Sequence, residues 1–178
     1  SGTTSNQLMD VLASHVTVMN NGVFEYTNPI AIGSSTPPGG VVGSSLSWIS
    51  NLQNVRIENN GTMDFPNVIV SPFLVGTFGA LSFSYFTGSS NSNQSFKNHP
   101  GATLKAEQKG GTGDLAGVAL FSGSGGNNSV ENEGTIEVKN DFNGKGVLGI
   151  SVYHGASTSA LYETKNSGTV RADRKSVV

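Results

Sequence analysis

A short motif recurs along this chain at an almost constant interval, and this interval constrains the fold more than any other feature of the sequence. The motif is Asn-Xaa-Gly-Thr with small variations, and its first asparagines are Asn20, Asn59, Asn98, Asn132 and Asn166. The steps between them are 39, 39, 34 and 34 residues. Self-similarity at such a period indicates a solenoid, a propeller or another stacked array. We therefore predict a repeat array.

Apolar residues flank each motif with a spacing of two. The residues two positions before the asparagine are Val18, Ile57, Phe96, Val130 and Thr164. Those just after the motif are Phe24, Met63, Leu104, Ile136 and Val170, and two positions further are Tyr26, Phe65, Ala106, Val138 and Ala172. Because this alternation is typical of strands with one buried face, we expect a strand on each side of the motif.

Charged residues between these apolar positions alternate in sign between repeats, so that nearly every charge would face an opposite charge in a stack. One column contains Met19, Glu58, Lys97, Glu131 and Lys165, and the other contains Glu25, Asp64, Lys105, Glu137 and Arg171. Like charges directly opposite each other on neighbouring strands are destabilising. The alternation therefore predicts that the repeats stack as parallel strands in register.

The motif itself suits the bend between two strands of such a stack. We expect its asparagine side chains to hydrogen-bond from repeat to repeat as a structural ladder. We expect its glycine to supply a positive φ. The repeat at Asn98 carries the extra residues Pro100 and Ala102, so its bend is expected to bulge outward.

The other half of each repeat contains a Gly-apolar segment, such as Gly149 to Val152. We interpret one repeat as one coil, and expect the extra residues of the longer repeats to form outer loops at 33–43 and around Pro66 and Pro72. The fold prediction is all-β: a parallel β-helix of about five coils of 34 to 39 residues, with residues 1–178 as a single segment.

The composition of the chain argues against two kinds of function, nucleic-acid binding and insertion into a membrane. The net charge is −2, only 12% of residues are charged and basic residues are not clustered, which argues against a nucleic-acid partner. No apolar run approaches the roughly 20 residues of a membrane-spanning helix, so we expect no direct membrane insertion. The chain begins without a signal-peptide pattern and lacks a polar cap, so we expect a fragment of a longer protein.

The phrases at 131–139 and 165–171, each preceded by a Gly-apolar strand, resemble the β-helical passenger domains of autotransporters of Gram-negative bacteria. The resemblance covers residues 16–173 and implies a right-handed helix, as parallel crossovers also favour. It implies display on the cell surface, anchored through the outer membrane, or secretion, and a role as an adhesin or toxin in virulence and cell adhesion. The absence of cysteine suits passage through a pore. Proteins of two-partner secretion share the architecture.

No catalytic residue, metal ligand or cofactor site is predicted. The acidic residues alternate with basic ones along the columns, and the three histidines, His15, His99 and His154, are isolated. We therefore expect a non-enzymatic protein. Two alternatives stay open: a carbohydrate-active β-helix enzyme, which needs converging carboxylates, and a purely structural spacer rod.

Ligand binding is predicted at outward loops that carry aromatic and amide side chains. Adjacent residues on a strand point to opposite faces, so the pairs Tyr85–Phe86 and Tyr153–His154 each expose one side chain. The candidate binding residues are Tyr85, Phe86, Asn91, Asn93, Tyr153 and His154. The expected partner is a host-cell or bacterial surface protein or glycan. We also expect the ends of the stack to self-associate or to need a partner chain or fused cap.

Overall fold

The computed structural model describes residues 14–25, 27, 30–32, 53–70, 78–83, 93–111, 113–122, 126–140, 146–154 and 160–174. These residues form 14 strands and their turns, with no helix among them. The strands are β1 Val16–Asn20, β2 Val23–Glu25, β3 Ile30–Ile32, β4 Val55–Asn59, β5 Thr62–Val70, β6 Phe78–Phe83, β7 Ser95–Asn98, β8 Thr103–Gly111, β9 Leu115–Ser122, β10 Gly126–Asn132, β11 Thr135–Asn140, β12 Val147–His154, β13 Ala160–Asn166 and β14 Thr169–Arg174.

The strands form three sheets in which all the observed pairs are parallel. The first sheet has the order β1-β4-β7-β10-β13, and the second has the order β2-β5-β8-β11-β14, with β3 also pairing with β5. The third sheet has the order β6-β9-β12. Apart from β3, every third strand along the chain therefore returns to the same sheet, which confirms the prediction of an all-β fold with parallel sheets. The arrangement is consistent with a β-helix-like solenoid.

The pairing register follows the sequence repeat. Asn20 pairs with Asn59, Asn59 with Asn98, Asn98 with Asn132, and Asn132 with Asn166. On the other side of the bend, the residues after the motif are aligned in the second sheet, as in the pair Met63 and Leu104. Apolar positions thus stack on apolar positions, because a one-residue slip would turn every side chain of a strand to the opposite face.

The five motif asparagines are joined by side-chain hydrogen bonds. The Nδ2 atom of each of the first four donates to the Oδ1 atom of the next: Asn20 to Asn59 at 2.8 Å, Asn59 to Asn98 at 2.9 Å, Asn98 to Asn132 at 2.8 Å and Asn132 to Asn166 at 2.7 Å. The same Nδ2 atoms also donate to a threonine carbonyl of the next repeat, at 3.0 to 3.1 Å. The three central asparagines are fully buried.

The motif glycines have a different physical role from the one predicted. Only the glycine of the third motif, Gly101, has a positive φ, of 79°. A Cβ atom at Gly61 would overlap the carbonyl oxygen of Gly22, and one at Gly168 would overlap that of Gly134. The prediction of a left-handed bend is therefore wrong for the other four motifs. Where repeats stack at this bend, backbone lies against backbone and a side chain has no room.

The bend of the third repeat accommodates its additional residues in an exposed turn. Pro100 and Gly101 are exposed, whereas Ala102 is buried. The Ala102 amide donates to the His99 carbonyl at 3.0 Å, which closes the turn. The Ala102 carbonyl then accepts the Thr135 amide of the next repeat at 2.8 Å, so the stack continues past the insertion.

Pro66 lies within β5 and not in an outer loop, which corrects the prediction for this position. The pairing of β5 with β8 is irregular between Phe65 and Val68 and again between Val68 and Ile69. Proline lacks the amide hydrogen that a regular ladder needs, and a bulge is one of the few places where a strand tolerates it. The other predicted insertions, 33–43 and the segment around Pro72, lie outside the described residues.

The space between the sheets is filled by one continuous apolar cluster. It contains Ile57, Met63, Phe65, Val68, Val70, Phe96, Leu104, Ala106, Leu115, Val118, Val130, Ile136 and Val138, all nearly inaccessible to solvent. The rings of Phe24 and Phe65 meet edge to face with centroids 6.3 Å apart. The inward side chains of neighbouring strands thus contact one another from repeat to repeat along the stack.

Two inward columns change from apolar to polar along the stack. In the first sheet, the column that begins with Val16 and Val55 continues with the buried residues Gln94 and Asn128. Asn128 Oδ1 accepts the backbone amide of Gln94 at 3.0 Å. In the second sheet, Val68 is followed by Gln108 and Asn140, which are also buried. The two amide columns occupy the third and fourth repeats.

Candidate binding face

A row of outward polar side chains crosses the first sheet at right angles to its strands. Its members, Thr17, Arg56, Ser95, Ser129 and Glu163, occupy equivalent positions on the five strands. They point outward because the residues that follow them, such as Ile57 and Phe96, are buried in the core. Apart from Arg56 and Glu163, the row consists of small hydroxyl side chains. These side chains project only a short distance from the sheet, so the surface is recessed along this line.

Three cavities lie along this row and share lining residues. One of about 370 Å³ is lined by His15, Thr17, Asn54, Arg56, Asn93 and Ser95. A second, of about 120 Å³, again includes Arg56 and Ser95, and it extends to Ser129 and Glu131. A third, of about 520 Å³, includes Ser129 and extends to Tyr162 and Glu163. Together they form one shallow channel along the stack, which we call the furrow.

One side of the furrow is bounded by a column of residues with left-handed backbone. His15, Asn54 and Asn93 have φ values of 60°, 56° and 56°. Asn54 Nδ2 lies 3.1 Å from His15 Nδ1, and Asn93 Nδ2 donates to Asn54 Oδ1 at 2.9 Å. The Asn93 Oδ1 atom accepts the Asn127 backbone amide at 2.8 Å. Asparagine tolerates this backbone region better than most residues, which accounts for its recurrence here.

The other side of the furrow is bounded by the first charged column. Its residues stack in the predicted register, and Lys97 bonds to Glu131 at 3.2 Å and to Glu133 at 3.1 Å. These two hydrogen bonds, the one to Glu133 being the larger effect, raise the pKa of Lys97. Other pairs form along a single strand between residues two apart, as between Lys165 and Glu163 at 3.1 Å. The columns thus combine contacts within strands and between strands.

Glu58 is the most enclosed carboxylate of this column and has two side-chain partners. His99 Nε2 lies 2.7 Å from Glu58 Oε2, and Arg56 Nε lies 2.7 Å from Glu58 Oε1. The hydrogen bond from His99 is the main cause that lowers the pKa of Glu58, and the charges of Arg56, His99 and Lys97 act in the same direction against burial. His99 is therefore joined to the charged column and is not an isolated turn residue.

The second charged column lies on the outer face of the second sheet. Glu137 stands between Lys105 and Arg171 in the register and bonds to Lys139 at 2.9 Å. The hydrogen bond from Lys139 lowers the pKa of Glu137, and the charges of Lys139, Lys105 and Arg171 add to this effect. From Asp64 onward each charge of this column faces an opposite charge, whereas Glu25 faces Asp64, a like charge.

Three of the six predicted ligand-binding residues lie within the described part of the chain. Asn93 lies directly before β7 and lines the furrow. Tyr153 and His154 end β12, and the chain then connects to β13 of the first sheet. Tyr85, Phe86 and Asn91 lie outside the described residues, in the stretch that connects β6 to β7.

The furrow and its left-handed column were not predicted. A signal is present, since His15, Asn54 and Asn93 are 39 residues apart and each lies five residues before a motif asparagine. The equivalent residues of the last two repeats are Asn127 and Leu161, so the pattern weakens along the chain. The furrow offers hydroxyl, amide and paired charged groups to solvent, a surface suited to hydrogen bonding with an extended polar ligand.

Within the described part of the chain, no group of three or more His, Cys, Asp or Glu residues is placed to hold a metal ion. No helix long and apolar enough to cross a bilayer occurs among the described residues. Comparison of the chain with protein-family models, curated proteins and solved structures gave no match.

Proposed function

We propose that this chain is a binding segment of a bacterial surface or secreted protein of the autotransporter passenger type. In this proposal the three sheets are the faces of a right-handed parallel β-helix with about five coils of 34 to 39 residues. The segment acts without catalysis, as part of an adhesin or virulence factor. The resemblance of its repeats to such passengers and the stacked register of its strands support this proposal.

The furrow carries the binding role in this proposal. It crosses all five strands of the first sheet, so a long ligand can contact several repeats at once. The edge beside it is the one at which the stretch that holds Tyr85 and Phe86 joins β7. Loops positioned by a rigid scaffold are common sites of binding.

The chemistry of the furrow favours a glycan over a protein as the ligand. Protein interfaces depend on a few large anchors such as Trp, Tyr and Arg in desolvated pockets. The described floor of the furrow presents mainly Thr17, Ser95 and Ser129 beside an amide column. Arg56 is engaged by Glu58, and Tyr162 lies at one end of the furrow only. Hydroxyl and amide groups pair well with the many hydroxyl groups of a sugar chain. We therefore propose a host or bacterial surface glycan as the ligand.

A furrow-filling variant tests this proposal on an array of host and bacterial surface glycans and on whole cells. Ser95→Trp places a large ring in the furrow, whereas Lys105→Trp places the same ring on the outer face of the second sheet in the same repeat. We expect the first variant to bind the best array glycan about tenfold more weakly or worse, and the second to bind as the parent chain does.

The aromatic pair is tested separately by the double variant Tyr85→Ala, Phe86→Ala. Loss of glycan binding with an unchanged circular dichroism spectrum assigns these residues to the site beside the furrow. Retained binding removes them from it. Absence of binding by the parent chain to glycans and cells alike overturns the binding role and favours the structural spacer, whereas binding to cells stripped of glycans favours a protein receptor.

A further inference from the structure

The two ends of the strand stack have open edges. Among the described residues, β1 and β2 pair with strands of the next repeat only, and β13 and β14 pair with strands of the preceding repeat only. An open edge carries backbone amides and carbonyls that are ready to pair with a further strand. Each end therefore presents half of a parallel ladder.

The exposed apolar side chains are concentrated at these ends. Six large hydrophobic residues of the described chain are clearly exposed: Met19, Val23, Leu148, Val152, Leu161 and Val170. Each of them lies on a strand that terminates its sheet, namely β1, β2, β12, β13 or β14. Met19, Val23 and Leu161 stand at outward positions, where the adjacent strand carries Glu58, Thr62 and Asn127. Val170 stands at the inward position of Ile136, which is fully buried. The exposure of Val170 therefore reflects that no strand pairs beyond β14 among the described residues.

The asparagine ladder gives the stack a direction. All four side-chain bonds run from an Nδ2 donor to the Oδ1 acceptor of the next repeat along the chain. At the far end, Asn166 carries an amide donor for which the described residues offer no acceptor. At the near end, among the described residues, Asn20 Oδ1 accepts the amide of Gly22 alone, at 3.2 Å. A carbonyl oxygen accepts two hydrogen bonds, so Asn20 can take one more.

The charges of the two ends are also complementary in the same register. Continuing the second sheet by one strand places the position of Glu25 against Arg171, since both belong to the second charged column. In the core column the same step places Phe24 against Val170. Joining two like ends instead sets two donors or two acceptors of the ladder against each other.

We propose that this chain associates with a second copy of itself head to tail, with the β13–β14 end of one copy docked on the β1–β2 end of the next. The added contact repeats the register of the stack, so the ladder, core columns and charged columns run on from copy to copy. Such a contact is heterologous and does not close, and it therefore produces linear polymers of increasing length.

Cysteine pairs test this arrangement because the chain contains no cysteine of its own. In the proposed polymer Met19 of one copy lies beside Lys165 of another, in the first charged column. Neighbouring strands are about 4.8 Å apart, which is within the Cα separation that a disulfide bridges. Met19→Cys, Lys165→Cys chains should give a covalent ladder of dimers, trimers and longer species after mild oxidation.

The matched control is Met19→Cys, Lys105→Cys, which pairs the same end residue with an outward residue of the middle strand β8. This variant and each single Met19→Cys or Lys165→Cys variant should give no ladder. The proposal is overturned if the end-to-end pair yields no ladder, if the control yields the same ladder, or if Met19→Cys alone yields a dimer, since that indicates joining of like ends.

Charge reversal supplies an independent test by sedimentation velocity over a range of protein concentrations. Glu25→Arg and Arg171→Glu should each weaken association about two- to fivefold or more, because each sets like charges against each other. The double variant should recover the association of the parent chain. A parent chain that stays monomeric at all concentrations, or a double variant as weak as the single ones, contradicts the proposal.

Discussion

Asn98 and Asn132 occupy the same position on neighbouring strands, and Asn98 Nδ2 donates to Asn132 Oδ1 at 2.8 Å while both side chains are fully buried. Asn98 Nδ2 also reaches the Thr135 carbonyl at 3.1 Å. A buried amide is costly unless its hydrogen-bonding groups are satisfied. The ladder satisfies them only when repeats are stacked in register, so it couples the stability of each repeat to that of its neighbours.

Replacement of Asn132 by leucine should destabilise the stack. Its Oδ1 acceptor is lost, which leaves the buried Asn98 amide with one bond fewer, and its donor to the exposed Asn166 and Thr169 is lost as well. We expect a loss of about 1 to 3 kcal/mol in the free energy of unfolding, measured by urea denaturation. The control Asn60→Leu removes an exposed amide of the equivalent bend in the second repeat and should cost less. Equal losses for the two variants would contradict a special role of the buried ladder.

Gly134→Ala should be more harmful than Gly22→Ala, although both substitutions are at equivalent positions of the motif. A Cβ at Gly134 would overlap the Ala102 carbonyl oxygen, whereas one at Gly22 meets no atom within 4 Å. Overpacking of this kind costs about 1 to 3 kcal/mol. Thermal denaturation should show a lower melting temperature for Gly134→Ala and an unchanged or slightly higher one for Gly22→Ala, because the latter restricts the unfolded chain. A positive φ requirement would instead harm both.

Asn54 allows its backbone conformation to be tested apart from its hydrogen bonds. Both Asn54→Gly and Asn54→Val remove the amide that bonds to Asn93 and His15. Only valine has to place a β-branched side chain at a φ of 56°. We therefore expect Asn54→Val to be less stable than Asn54→Gly by about 1 to 2 kcal/mol in chemical denaturation. Indistinguishable variants would mean that the local backbone relaxes out of this region.

Acidification should destabilise the protein through Glu58. Its pKa is lowered in the folded state, mainly by the hydrogen bond from His99, so the stability it provides is present above the ordinary glutamate pKa. This stability is lost as the pH falls through the lower folded pKa. Denaturation curves between about pH 6 and pH 3 should show a shallower acid dependence for Glu58→Gln and for His99→Ala. Glu137 retains part of the dependence, since its pKa is also lowered.

The strands and their register could be predicted because the motif anchors them at nearly equal intervals. The role of the glycines could not, because the contact between Gly61 and the Gly22 carbonyl exists only once the repeats are stacked. The sequence around Gly61 has the composition of an ordinary turn, and turn rules alone suggest a left-handed residue there. The prediction failed because it explained the glycine by its own backbone conformation, whereas glycine is needed here because the backbone of the neighbouring repeat leaves no room for a side chain.

The irregular pairing at Pro66 and the furrow were missed for related reasons. The pairing is irregular on both sides of Val68 but regular before Phe65 and after Ile69. The alternation of apolar residues is therefore kept on each side of the irregularity, and it gives no sign of the irregularity itself. The furrow depends on small residues, Ser95 and Ser129, which are common in this chain and do not stand out. Only the three-dimensional alignment of equivalent positions brings such residues into one line.

The change of the inner column from Val55 to Gln94 and Asn128 has a consequence for folding fidelity. Five similar repeats could in principle stack in a wrong order, since every motif asparagine fits every other. Within the described part of the chain, a bond of the kind that joins the Gln94 amide to Asn128 is seen between one pair of repeats. A stack that skipped a repeat would set a buried amide against valine or leave it without that bond. The buried amide side chains therefore distinguish the third and fourth repeats from the others and favour their stacking on each other.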